Sequence, residues 1–183
     1  MNKPTAFVAL LRGINVGKAK RIAMADLRKL VEELGYGDVQ TLLNSGNVVF
    51  SAPPKQGATA AARIESAIAS QLGVTSRVTV ISAGELAAAI NNNPFTGAVA
   101  EPSRFLIAVA ADTAGLRPHK ALARQEWAPE MLAVDDRIAW IWCPNGVLES
   151  PAATAVNRAL KDGITMRNWA TMMKLHALCA AII

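Results

Sequence analysis

Histidine and cysteine are scarce in this 183-residue chain, with two of each. Cys143 and Cys179 lie far apart, without a CxxC partner or metal-ligand spacing, so neither a disulfide framework nor a metal site is expected. They read as small core residues in a reducing compartment. His119 and His176 make no convincing triad with Ser45 or Cys143, because a nucleophile needs both a base and a group that orients the base. His176, flanked by Leu175 and Leu178 on an amphipathic helix, reads as a packing residue. Long apolar runs are missing too: none approaches the roughly 18 residues of a membrane span. The run at 7–11 is also too short for a signal-peptide core. A cytoplasmic protein with no membrane partner is expected. Generic phosphate motifs are absent as well, since Gly13-Ile14-Asn15-Val16-Gly17 fits neither a P-loop nor the GxGxxG of a dinucleotide fold.

Apolar residues make up 52% of the chain and charged residues 18%, a globular composition. A chain of this length buries roughly 70% of its unfolded surface and needs no staple. Carboxylates are outnumbered, 14 against 19 Lys and Arg, giving a net charge of +5. The excess gathers early: Lys3, Arg12, Lys18, Lys20, Arg21, Arg28 and Lys29 precede residue 31, against the single carboxylate Asp26. This asymmetry points to an anionic partner, either nucleic acid or a phosphorylated small molecule. Arg28 and Lys29 read more simply as a solvated helix face.

Residues 7–11 form a buried strand that runs into a glycine-bearing loop, 12–17, followed by the basic cluster. Helical spacing covers 24–34, and Gly35 and Gly37 stop it. Two β-rich runs, 39–43 and 48–50, flank Asn44-Ser45-Gly46-Asn47 and predict a hairpin. A helix over 59–72 and a strand over 77–81 follow. Strand-helix-strand-strand-helix-strand is the split βαβ pattern of a ferredoxin-like sandwich. In that topology the 12–17 loop and the 44–47 turn share one end of the sheet and touch.

Ser82 and Glu85 match a capping box opening a helix that ends at Asn91-Asn92-Asn93-Pro94. Beyond the loop 94–102, the pattern predicts a strand at 104–111, a helix near 120–126, strands at 137–143 and 147–149, a helix at 151–161 and a strand at 164–167. Asp135-Asp136 reads as a turn, and a last helix covers 169–181. The expected fold class is α+β: two ferredoxin-like (βαββαβ) halves packed together, with an extra C-terminal helix. The halves are 1–82 and 83–183, with 83–103 as linking helix and loop. Trp140 and Trp142 share one strand face, which suits base stacking or, more simply, packing under helices.

Several longer motifs, in order, resemble the family known as "domain of unknown function 1697". They are Leu11-Arg12-Gly13-Ile14-Asn15-Val16-Gly17, Met24-Ala25-Asp26-Leu27, Asn44-Ser45-Gly46-Asn47-Val48-Val49-Phe50, Asn93-Pro94-Phe95, and Thr165-Met166-Arg167-Asn168-Trp169 with Lys174-Leu175. The resemblance implies a cytoplasmic, mainly bacterial protein of two α+β subdomains, and it implies no reaction. Two departures stand out: Lys18 replaces the usual second glycine, and Leu148-Glu149-Ser150-Pro151 stands where relatives tend to carry Ser and Lys.

The candidate ligand-binding set is Arg12, Gly13, Asn15, Gly17, Lys18, Ser45, Asn47, Arg167 and Asn168. Arg12, Lys18 and Arg167 would supply charge, and Gly13 and Gly17 would let backbone N–H groups approach an anion. Asn15 and Asn47 have an alternative role in holding turns, and Asn168 in capping a helix. The expected partner is an anionic small molecule, with nucleic acid as the alternative and a protein contact as a third. The sequence indicates no metal, cofactor, reaction or oligomeric state.

Overall fold

The computed structural model describes residues 4–182, so Lys3 of the early basic group lies outside the described residues. Strand β1 (Thr5–Leu11) is an inner strand of the first sheet. From Ala6 to Leu11 no residue is more than 8% exposed, as an unbroken apolar run requires. Helix α1 (Met24–Glu33) turns Leu27, Leu30 and Val31 inward at helical spacing. It stops ahead of Gly35, whose φ of 88° is open to glycine. Strands β2 (Gly37–Leu42) and β3 (Asn47–Ala52) make the expected hairpin.

Helix α2 (Pro54–Leu72) begins earlier than the expected residue 59, because proline suits the first helical position, where an N–H has no intrahelical partner. Strand β4 (Val78–Ser82) completes the order β2-β3-β1-β4, with every neighbouring pair antiparallel. Phe7, Leu11, Val48 and Phe50 on one sheet face share a core with Leu27, Leu30, Ile64 and Ile68 of the two helices. Phe7 stacks on Phe50 with ring centroids 5.7 Å apart. Gly57 of α2 lies so close that a Cβ there would run into the Phe7 ring.

The capping box is formed. The Glu85 N–H donates to Ser82 Oγ at 3.2 Å, and the Ser82 N–H donates back to the Glu85 carboxylate at 2.8 Å, at the start of α3 (Ala83–Asn91). The second sheet contains β5 (Phe105–Ala110), β6 (Met131–Val134), β7 (Ile138–Trp142) and β8 (Ile164–Asn168). Its order is β6-β7-β5-β8, again antiparallel throughout. Helix α4 (Pro151–Leu160) shares a core with it through Ala152, Ala153 and Val156. Helix α5 (Trp169–Ile182) follows β8 directly. The fold is α+β, with two four-stranded antiparallel sheets of equivalent strand order.

Two sequence expectations fail in the second sheet. Residues 147–149 form no strand, and Leu148 is 96% exposed. Ser150 is already the N-cap of α4, its Oγ accepting from the Ala153 N–H at 3.0 Å, so the chain has no room to pair first. The hairpin partner of β7 instead precedes it, as β6. Only Leu132 of those four residues is buried, too weak a pattern to signal a strand. The expected helix near 120–126 is a 3-10 run, Arg117–Arg124, with Pro118 in its first turn.

Among the described residues the chain divides into two compact units, one drawn from Met1–Leu86 with Leu175–Ile183, the other from Ala87–Lys174. The end of α5 counts with the first unit, where Ala181 and Ile182 line a surface cleft with Arg28, Asp38 and Gln40. Among the described residues no helix is long and apolar enough to cross a membrane.

Candidate functional site in the first unit

Beyond β1 the chain leaves the sheet through a strongly curved loop. The Arg12 N–H donates to the Arg77 carbonyl at 2.9 Å, and the Arg12 carbonyl accepts from Ser76 Oγ at 2.9 Å. Gly13, Asn15, Gly17 and Lys20 all take positive φ, between 51° and 67°. Glycine does this without penalty and asparagine with little, which explains the spacing of the motif. Ile14 is 3% exposed and pins the loop to the core.

Asn15 is the hub. Its Nδ2 donates to the carbonyls of Ile22 (2.9 Å) and Asn44 (2.8 Å), and its Oδ1 accepts from the Ile22 N–H at 2.8 Å. Its own N–H donates to the Lys20 carbonyl at 3.0 Å. One side chain therefore closes the basic loop and ties it to the hairpin turn. That turn is held in the same manner by fully buried Asn47, whose Nδ2 donates to the Leu42 carbonyl and to Ser45 Oγ, both at 2.9 Å. The Leu11 N–H donates to the Gly46 carbonyl at 2.8 Å. Gly46 has a φ of 80°, and a Cβ there would lie 2.7 Å from the Leu11 Cβ and 2.8 Å from Ile14. The two loops meet as the strand order requires.

Beside them lies an open cleft of about 380 Å³, lined by Asn15, Arg21, Ile22, Ala23, Met24 and Asn44. The first turn of α1 forms one wall, and its cap residue, Ala23, gives no side-chain hydrogen bond to that turn. Lys18, Lys20 and Arg21 are exposed and make no ion pair among the described residues. The arrangement can present backbone N–H groups and cations to one anion.

Of the sequence-predicted set, Gly13, Asn15, Gly17, Lys18, Ser45 and Asn47 lie on these two connected loops. Arg12 is half-buried at the strand end and is not a free cation. Arg167 and Asn168 belong to the second unit. The Arg167 guanidinium donates to Thr165 Oγ1 (3.0 Å) and the Met166 carbonyl (2.9 Å), and burial lowers its pKa to about 10. Asn168 caps α5, its Oδ1 accepting from the Thr171 N–H at 2.9 Å. Of the lining residues, the set omitted Arg21, Ile22, Ala23, Met24 and Asn44. Arg21 was legible as part of the basic cluster, but a backbone wall such as Ala23 leaves no side-chain signal.

Other reactive groups are built into packing. Burial pushes the Cys179 thiol up to about 11 and raises that of Cys143. Trp140 is 5% exposed with its Nε1 donating to the Ala89 carbonyl at 2.9 Å, and Trp169 stacks on Phe105 at 5.2 Å, so neither is a free platform for a base. Among the described residues no three His, Cys, Asp or Glu side chains cluster as metal ligands.

No curated protein matches the chain. Among solved structures it is similar to the conserved bacterial protein SP0830 from Streptococcus pneumoniae, at 25% identity and a TM-score of 0.74, covering 97% of this chain and 99% of that one. Residues 5–140, which include both loops of the cleft, match a family described as "Protein of unknown function (DUF1697)", and the chain belongs to that family.

Proposed function

We propose that the first unit binds a phosphorylated or otherwise anionic small molecule in the cleft beside the 12–17 loop and the 44–47 turn. The observation that carries this reading is the trio Lys18, Lys20 and Arg21, exposed and unpaired among the described residues. Three other cations of the same unit pair with carboxylates: Arg28 with Glu32 at 2.9 Å, Lys29 with Glu33 at 3.8 Å and Arg77 with Glu65 at 3.6 Å. Unpaired cations beside the uncapped first turn of a helix favour an incoming anion through charge and N–H donors together. In this reading Lys18, Arg21 and the α1 N–H groups hold the ligand, Ser45 borders it, and Asn15 and Asn47 hold the loops. The scaffold is a pair of ferredoxin-like βαββαβ sandwiches, supported by their shared strand order, in a cytoplasmic protein.

A thermal-shift series with nucleotides and sugar phosphates tests the reading. A ligand at 100 times its Kd adds about 2.7 kcal/mol, a resolvable rise in Tm. Arg21→Glu should abolish that rise while leaving the Tm of the free protein unchanged, because Arg21 is exposed and makes no ion pair among the described residues. No rise with any phosphorylated compound refutes the reading. Binding of short RNA or DNA with a steep salt dependence would replace it with the nucleic-acid reading.

A further inference from the structure

The second unit carries a cleft of opposite character. Its volume is about 240 Å³, and its lining includes Phe95, Glu126, Trp127, Glu130, Met131 and Leu132. No lysine or arginine is among the lining residues, although the chain as a whole carries +5.

Glu130 is the informative residue. It is only 8% exposed, a rare state for a glutamate. One carboxylate oxygen, Oε2, accepts from the Ala152 N–H in the first turn of α4 at 2.8 Å. Oε1 has no hydrogen-bond partner among the described residues, and it is not sealed from solvent. Glu130 is thus a nearly buried carboxylate with one oxygen bonded to α4 and the other accessible, on a residue that lines the cleft. Capping α4 explains Oε2 and leaves Oε1 unexplained.

The surroundings are rigid and aromatic. The Glu130 N–H closes a turn on the Trp127 carbonyl at 2.8 Å, placing the two residues together. The Trp127 indole is fixed by its Nε1, which donates to the Leu122 carbonyl at 2.7 Å. Glu126 adds a second carboxylate, one of whose oxygens accepts from the Ala128 N–H at 3.2 Å. Carboxylate and indole, each locked by its own hydrogen bond, form a preorganised pair. An indole face attracts cations and apolar groups alike.

We propose that this cleft binds a small organic cation of the alkylammonium class. The ammonium lies against Glu130 Oε1, with Glu126 adding charge at the rim, and the alkyl part packs on Trp127, Phe95 and Met131. This site is separate from the anion cleft and stands or falls independently of it.

The test is a titration of n-butylammonium chloride into the full-length protein, following the Trp127 indole N–H by NMR, with the resonance assigned through Trp127→Phe. A saturable shift at millimolar concentration is expected, with sodium chloride and sodium butyrate giving none. Glu130→Gln keeps an oxygen to accept from Ala152 but removes the charge, and should weaken binding at least tenfold. Met131→Lys, at a half-exposed rim position, supplies a tethered ammonium and should block the titration without disturbing the core. A shift that does not saturate, one reproduced by sodium chloride, or one unchanged in Glu130→Gln overturns the proposal. If Glu130→Gln does not fold, undiminished binding in Met131→Lys overturns it.

Discussion

The two sheets share a strand order, yet their equivalent hairpin turns are secured by different chemistry. The β2–β3 turn in the first unit is held by neutral amides: Asn47 braces it from within, and Asn15 ties its Asn44 carbonyl to the neighbouring loop. The β6–β7 turn in the second unit is held by charge. Asp136 pairs with Arg117 and Lys120, both at 2.7 Å, and Lys120 also reaches Asp135 at 3.5 Å. In the second unit the nearby cations are consumed by the turn. In the first, amides do the structural work and leave Lys18, Lys20 and Arg21 unpaired among the described residues. A protein that needs free positive charge at a loop gains by building the loop from neutral donors.

The sharpest way to break this comparison is to deform the amide-held turn. Gly46→Val would force a β-branched residue to a φ of 80° and drive its Cβ into Leu11 and Ile14. Strain and overpacking together predict a loss of about 3 kcal/mol, read by chemical denaturation. A loss under about 1 kcal/mol would show that the turn yields readily and is not a rigid support.

Asn15→Ala comes next. It removes three side-chain hydrogen bonds and puts alanine at a φ of 54°. At about 0.5–1.5 kcal/mol for each bond, partly offset by exposure to water, the expected cost is about 2 kcal/mol. Because the bonds are neutral, the cost should be the same at low and high salt. A cost that vanishes at high salt would mean that the basic cluster, and not Asn15, controls the loop.

The legibility of these features in the sequence follows the same division. The first unit was readable because β1 is apolar from Ala6 to Leu11 and the loop after it and the β2–β3 turn carry Asn and Gly, residues that accept positive φ. Asn15, Gly17 and Gly46 announce a tight loop pair from composition alone, and strand alternation places the loops at one end. The second unit was harder. Strand β6 buries one residue in four, and a 3-10 run stands where the first unit has an α-helix. Val147, Leu148 and Glu149 looked like a strand because β-compatible residues follow a Pro-Asn-Gly turn. Nothing local reveals that Ser150 is already committed to capping α4. Asn168 caps a helix and Arg167 bonds within its own strand, roles that motif polarity does not separate from a ligand contact. The cleft at Glu130 gave no signal, since Glu130 and Ala152 are joined only by the fold.

The smallest effect sharpens the comparison from the charged side. Hydrogen bonds from Arg117 and then Lys120 hold the Asp136 carboxyl below its usual range, at about 2. A carboxylate depressed by folding contributes stability above its unfolded pKa and loses it as pH falls through the folded value. The contribution is therefore intact at neutral pH and disappears between about pH 4 and about pH 2. The groups are exposed and screened, so the effect should be slight and should shrink with added salt. Wild type should melt marginally above Asp136→Asn at pH 7 and low salt, and the two curves should converge as the pH approaches 2. Asn15→Ala should show no such convergence, because its lost bonds do not titrate. If Asp136→Asn instead lowered the melting temperature equally at every pH and salt concentration, the β6–β7 turn would be held by geometry and not charge. The contrast between the two turns would then dissolve.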